Sequence, residues 1–150
     1  MHQILLVDDD PLLAEAMVLL LEKRLGCRVR IASDAVEAAI ALLDSAPSLV
    51  LLDWMIPQGD TRLLQERAAH QPGVASLVSS LQASAAPAAG LDVLRWLKQD
   101  RAMAGLQVAL FSGQADALQV PEVGDGMVDL IVKGDDPERV VRRIGGLLAG

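Results

Sequence analysis

Three aspartates stand where an acidic side chain does nothing for a hydrophobic core. Asp8 and Asp9 directly follow the apolar run Ile4-Leu5-Leu6-Val7, and Asp53 directly follows Leu49-Val50-Leu51-Leu52. Brought together, three carboxylates repel one another and need a cation, and a hard oxygen site with only partial protein ligation suits magnesium. A carboxylate can also attack phosphorus to give an acyl phosphate. Asp53 is the natural nucleophile, with Asp8 and Asp9 holding the metal directly or through water. Phosphoryl transfer then needs a lysine to neutralise the oxygens and a hydroxyl to orient them. Ser112 and Lys133 follow two further apolar runs. Alone, a serine at a strand end is a turn residue and a lysine a solvated charge; only their position relative to the aspartates gives them this role. Asp10, before Pro11, reads as a helix cap.

These residues must be positioned by the elements that precede them. The run 3–7 lacks interruption by charge, as a strand buried on both faces should. Pro11 opens a helical repeat through Leu25, closed by Gly26 after Lys23 and Arg24. Arg28 to Ala32 reads as a second strand, and Asp34 with Glu37 as a capping box for a helix to about Asp44. Leu49 to Leu52 is a third strand. Leu91 to Gln99 and Pro137 to Leu148 read as helices, Val108 to Phe111 and Leu130 to Val132 as strands. This alternation predicts an α/β fold, a doubly wound parallel sheet whose carboxyl edge gathers all five polar residues in one crevice.

The composition narrows the function. One domain spanning 1–150 is expected from 150 residues that are 52% hydrophobic. Two Trp, one Phe and no Tyr leave little for base stacking, and a net charge of −7 repels phosphate backbones, so direct nucleic-acid binding by this segment is not expected. A single cysteine, Cys27, and the absence of a basic leader after Met1 fit a cytoplasmic protein. The longest apolar stretch, Ala16 to Leu21, falls far short of the roughly 20 residues that span a bilayer.

The segments Ile4-Leu5-Leu6-Val7-Asp8-Asp9-Asp10-Pro11, Leu51-Leu52-Asp53-Trp54-Met55-Ile56-Pro57, Gly90-Leu91-Asp92-Val93-Leu94, Phe111-Ser112-Gly113 and Val132-Lys133 occur in that order. As an ordered set they resemble the receiver domain of two-component response regulators. The resemblance implies a flavodoxin-like sheet in strand order 2-1-3-4-5, phosphorylation of Asp53, and a histidine kinase or phosphotransfer protein as donor. It places magnesium on Asp9, Asp53 and the carbonyl of Met55, with Asp8 reached through water, and puts Ser112 and Lys133 on the phosphoryl oxygens. Output would follow through a protein partner, a homodimer or an effector domain outside the sequence. Such a chain is not an enzyme beyond accepting and slowly hydrolysing its own phosphoryl group.

Three features depart from the family pattern. Lys133 is followed by Gly134 where Lys-Pro with a cis bond is common, so a trans peptide is expected. Leu130 occupies the position of an aromatic switch residue, which removes relay by aromatic rotation. The segment Gln114 to Gly126 contains Pro121, Gly124 and Gly126, which would shorten or break a helix there.

About thirty residues, 58–89, intervene between the third strand and the next family helix, longer than an ordinary loop. Thr61 to His70 and Val74 to Ala86 have helical spacing, with Pro72-Gly73 as a breaker, so a helical hairpin and a mobile loop are both open. Leu63, Leu64, Leu77, Val78 and Leu81 either form a protein contact or pack locally on the domain. Two other functions compete. One is a receiver-like binding module with weak phosphate control. The other is a haloacid-dehalogenase-like phosphohydrolase, using Asp8-Asp9-Asp10, Ser112 and the acidic motif Gly124 to Asp129; it lacks a lysine between Ser112 and Gly124 and leaves Asp53 without a role.

Overall fold

A computed structural model describes residues 1–84, 88–100, 103–113, 120–121 and 128–150. The strands are β1 (Gln3–Val7), β2 (Arg28–Ala32), β3 (Leu49–Leu52), β4 (Val108–Ser112) and β5 (Asp129–Val132). They pair in parallel in the order β2-β1-β3-β4-β5, as the sequence pattern and the resemblance imply. Ile4 lies opposite Val29 on one side and Leu49 on the other, so β1 is central and Ile4 to Val7 are fully buried. An uninterrupted apolar run is what such a strand requires, because helices cover both of its faces.

One face of the sheet carries α1 (Pro11–Leu25) and the C-terminal helix α6 (Pro137–Ala149). Asp10 accepts from the amides of Leu12 and Leu13 at 3.1 and 3.3 Å, which confirms it as the cap of α1. Gly26, with φ +62°, ends that helix in the left-handed conformation that glycine adopts without steric cost. An exposed ion pair between Arg24 and Glu138 joins the two helices. Cys27 is buried against this layer, and burial pushes its thiol pKa up.

The other face carries α2 (Ala35–Asp44), α3 (Arg62–Ala68), α4 (Pro72–Ala83) and α5 (Ala89–Gln99). Helix α2 starts with the expected box: Glu37 donates its amide to Asp34 Oδ1 at 2.7 Å. In the return direction the Glu37 carboxylate accepts from one residue further back, from the amide and hydroxyl of Ser33. These bonds hold the Glu37 carboxyl below its usual pKa, whereas burial raises that of Asp34.

The inserted segment is a helical hairpin over its described residues. Pro72 does not break the second helix; it is the first residue of α4, where its missing amide hydrogen and fixed φ suit a helix start, and the break falls at 69–71. Of the two alternatives, partner contact and local packing, four residues take the second: Leu64, Leu77, Val78 and Leu81 are buried in the same core as Val36, Leu42, Val93 and Leu97. Their helical spacing serves that packing. Only Leu63, 53% exposed, remains on the surface. Arg67 adds an ion pair to Asp44 at 2.7 Å, joining α3 to the end of α2.

Of the segment 114–126, with its expected disrupted helix, only Val120 and Pro121 are among the described residues, and Val120 is buried. Among the described residues no helix is long and apolar enough to cross a membrane.

Candidate functional site

The carboxyl edge of the sheet positions the polar residues through its own backbone ladder. The amide of Asp8 bonds to Ala32 O at 3.0 Å, that of Asp53 to Val7 O at 2.9 Å, and that of Lys133 to Ser112 O at 2.9 Å. Each side chain therefore leaves a strand end whose direction is set by its neighbour. Asp8, Asp53 and Ser112 are buried, while Asp9 is exposed at the rim. One carboxylate oxygen from each of Asp8, Asp9 and Asp53 lies within 4.8 Å of the others.

Lys133 joins the cluster from β5. Its ammonium is 2.7 Å from Asp53 Oδ2 and 2.7 Å from Asp8 Oδ2, and 5.5 Å from the centre of the Phe111 ring. Burial alone would lower the lysine pKa, but the hydrogen bonds and charges of Asp53 and Asp8 outweigh it and hold the group above its usual value. Asp53 Oδ1 accepts the Met55 amide at 3.0 Å, which fixes the carboxylate from the other side. The Met55 side chain itself is 40% exposed.

One ammonium against three carboxylates leaves a double negative charge. Lys133 is the one cation paired with Asp8 Oδ2 among the described residues, and it is shared with Asp53. Buried carboxylates that share a single ammonium keep uncompensated negative charge, which is costly unless a further cation completes the cluster. The donor set is all oxygen and only partly supplied by protein. On these grounds Asp8, Asp9 and Asp53 fit magnesium.

Two contacts escaped sequence reasoning. Trp54 Nε1 donates to Ser112 Oγ at 3.2 Å, a link between two strand ends that no spacing reveals. Gly90 places the start of α5 directly against the loop after β3: its amide bonds to Trp54 O at 3.1 Å, and a Cβ there would lie 2.4 Å from Asp53 O and from Trp54 Cα. A lone glycine opening a helix is the one signal that could have marked it.

Of the late acidic motif in the phosphohydrolase reading, only Val128 and Asp129 are described. Residues 124–127 lie outside the described residues, and Asp129 begins β5, at the opposite end of the strand from Lys133, exposed and 3.9 Å from Arg143.

The family model described as "response regulator receiver domain" matches residues 4–89, more than half of the chain. The chain belongs to the response regulator receiver domain family. It is 27% identical over 144 residues to the DNA-binding response regulator MtrA of Mycolicibacterium smegmatis, covering 95% of this chain and 49% of that protein. The receiver thus spans about half the length of that relative. Among solved structures, the receiver domain of a signal transduction histidine kinase from Syntrophus aciditrophicus superposes with a TM-score of 0.71 at 22% identity, covering 100% of this chain and 92% of that one. The receiver domain of a sensor histidine kinase from Pseudomonas aeruginosa, solved with a magnesium ion in its active-site cleft, gives 0.67 at 18% identity, covering 99% and 98%. At such identities the likeness concerns the fold.

Proposed function

We propose that this receiver accepts a phosphoryl group on Asp53 from a histidine kinase or phosphotransfer protein in a magnesium-dependent step. The phosphorylated domain controls an output through a protein partner, a second copy of the chain or an effector domain. The observation that carries the reading is the Lys133 ammonium held between Asp8 and Asp53 at the carboxyl edge of the sheet.

Asp9, Asp53 and the Met55 carbonyl would hold magnesium, with Asp8 close by, and the ion would supply charge neutralisation for the phosphoryl oxygens. The chain's own residues do the rest. The Met55 amide holds Asp53 by Oδ1. A carboxylate oxygen of Asp53 forms the new P–O bond as the P–N bond of a donor phosphohistidine breaks and its electron pair returns to the imidazole. Lys133 transfers its contact from Asp53 to a phosphoryl oxygen, and Ser112 donates its hydroxyl hydrogen to another. Water later cleaves the acyl phosphate and restores the carboxylate. The domain acts on its own side chain and turns over no separate substrate. Its charge of −7 favours a protein partner over direct contact of this segment with nucleic acid.

A second reading, a binding module with weak phosphate control, is favoured by two details. Leu130 is an aliphatic side chain packed on the core where relay would need a mobile ring, and Gly134 has φ +82°, a backbone closed to proline.

Incubation with magnesium and acetyl phosphate should give an acid-stable, base-labile adduct that is absent in Asp53→Asn. Turnover dependent on Asp8 and indifferent to Asp53 would overturn the proposal. An adduct that leaves amide hydrogen exchange in β4 and β5 unchanged would favour the second reading.

A further inference from the structure

Trp54 follows the acceptor directly, and its indole N–H can only donate. With Nε1 at 3.2 Å from Ser112 Oγ, the serine oxygen is the acceptor on that side, and its single hydrogen must point elsewhere. The Ser112 carbonyl accepts from the Lys133 amide, so the backbone of the serine is fixed as well. The indole has a rigid base: Trp54 O accepts from Gly90, and the glycine backbone lies so close to Trp54 Cα that a Cβ would not fit. Trp54 is half-buried against the α2–α5 core.

From this we infer that Trp54 is a positioning residue for phosphoryl acceptance. By donating to Ser112 Oγ it keeps the serine hydrogen available for a phosphoryl oxygen on Asp53. The two bonds in series, indole to hydroxyl and hydroxyl to phosphoryl oxygen, polarise each other in the same sense. The inference rests on Asp53 being the acceptor, and it gives an aromatic side chain a part in the site of a chain that has leucine at position 130.

The test combines a spectroscopic signature with a double-substitution cycle on the full chain. In ¹⁵N spectra the Trp54 indole peak is assigned by its loss in Trp54→Phe, a change that retains an aromatic ring. Ser112→Ala should shift that peak and speed its exchange with water, while the Trp96 peak, whose indole bonds to Gly73 O at 3.1 Å, stays in place. With magnesium and acetyl phosphate, Trp54→Phe should slow adduct formation about three- to tenfold, the worth of one hydrogen bond. The same change in a Ser112→Ala background should have little effect, and Ser112→Thr, which keeps the hydroxyl, should restore the dependence on Trp54. An indole peak indifferent to Ser112→Ala overturns the inference, as does an equal loss in both backgrounds. A faster reaction in Trp54→Phe would mean that the indole holds the hydroxyl back, and also overturns it. No adduct on the unsubstituted chain overturns the acceptor reading and this inference with it, whereas adduct formation insensitive to Trp54→Phe overturns the inference alone.

Discussion

The chain between β3 and α5 contains two regions built on opposite terms. The loop after β3 begins with a buried carboxylate beside two others, its charge only partly met by Lys133. The hairpin that follows has buried Leu64, Leu77, Val78 and Leu81 and takes its place in the core. Stability and chemistry are thus separated within one connection: the hairpin contributes packing, and the loop holds charges together in a way that packing alone would not favour. The two regions meet at Gly90, where the helix after the hairpin closes on the backbone of the loop.

This separation can be broken experimentally. Asp53→Asn should abolish adduct formation altogether while leaving thermal unfolding in metal-free buffer unchanged or slightly raised, since a charge leaves a repulsive cluster; a marked fall in Tm would show that the carboxylate is needed for the fold. Leu81→Ala, in the hairpin, should cost about 2–5 kcal/mol in urea unfolding, with an unchanged rate of adduct formation on the folded fraction. A rate loss beyond the folded fraction would join the two regions. Gly90→Ala should lower stability by about 1–3 kcal/mol and slow adduct formation too, because the loop backbone must give way to the new methyl group. A substitution neutral in both assays would mean that the close approach does not matter.

Smaller effects sharpen the contrast. Magnesium should raise Tm by mass action, and Asp9→Asn should weaken that rise while the hairpin substitution Leu81→Ala leaves it intact. Equal rises in the native chain and Asp9→Asn would remove Asp9 from the metal site. At the start of α2, Glu37 has a depressed pKa through its bonds to Ser33. Its contribution is present above the unfolded carboxylate pKa and fades as pH falls through the folded value. Glu37→Gln should therefore flatten part of the acid limb of stability, read as the urea midpoint between pH 7 and pH 3, with Asp34 acting in the opposite sense because its pKa is raised. An unaltered limb would place no linkage at this cap.

Much of this was legible in residue order. Strands β1 and β3 announce themselves by apolar runs that end in aspartate, and Asp10 and Asp34 by their place before helices. The hairpin was legible only as two helical repeats. Its spacing shows an apolar face and not what covers it, so Leu77 and Leu81 read equally well as a partner surface. Pro72 read as a breaker because a proline before a glycine ends one helix and begins another with the same letters. The bond from Trp54 to Ser112 was not legible, since it joins residues 58 apart in sequence through side-chain orientation.

The sequence by itself determined which residues carry charge at the strand ends, and hence that three carboxylates, a serine and a lysine would share the carboxyl edge of a parallel sheet. Period and chain order are local properties, and they suffice for that. Tertiary structure alone decided that Lys133 bridges Asp8 and Asp53, that the hairpin turns inward, and that Trp54 reaches Ser112. Each of these depends on which surfaces and atoms face one another after folding, and no spacing along the chain encodes that.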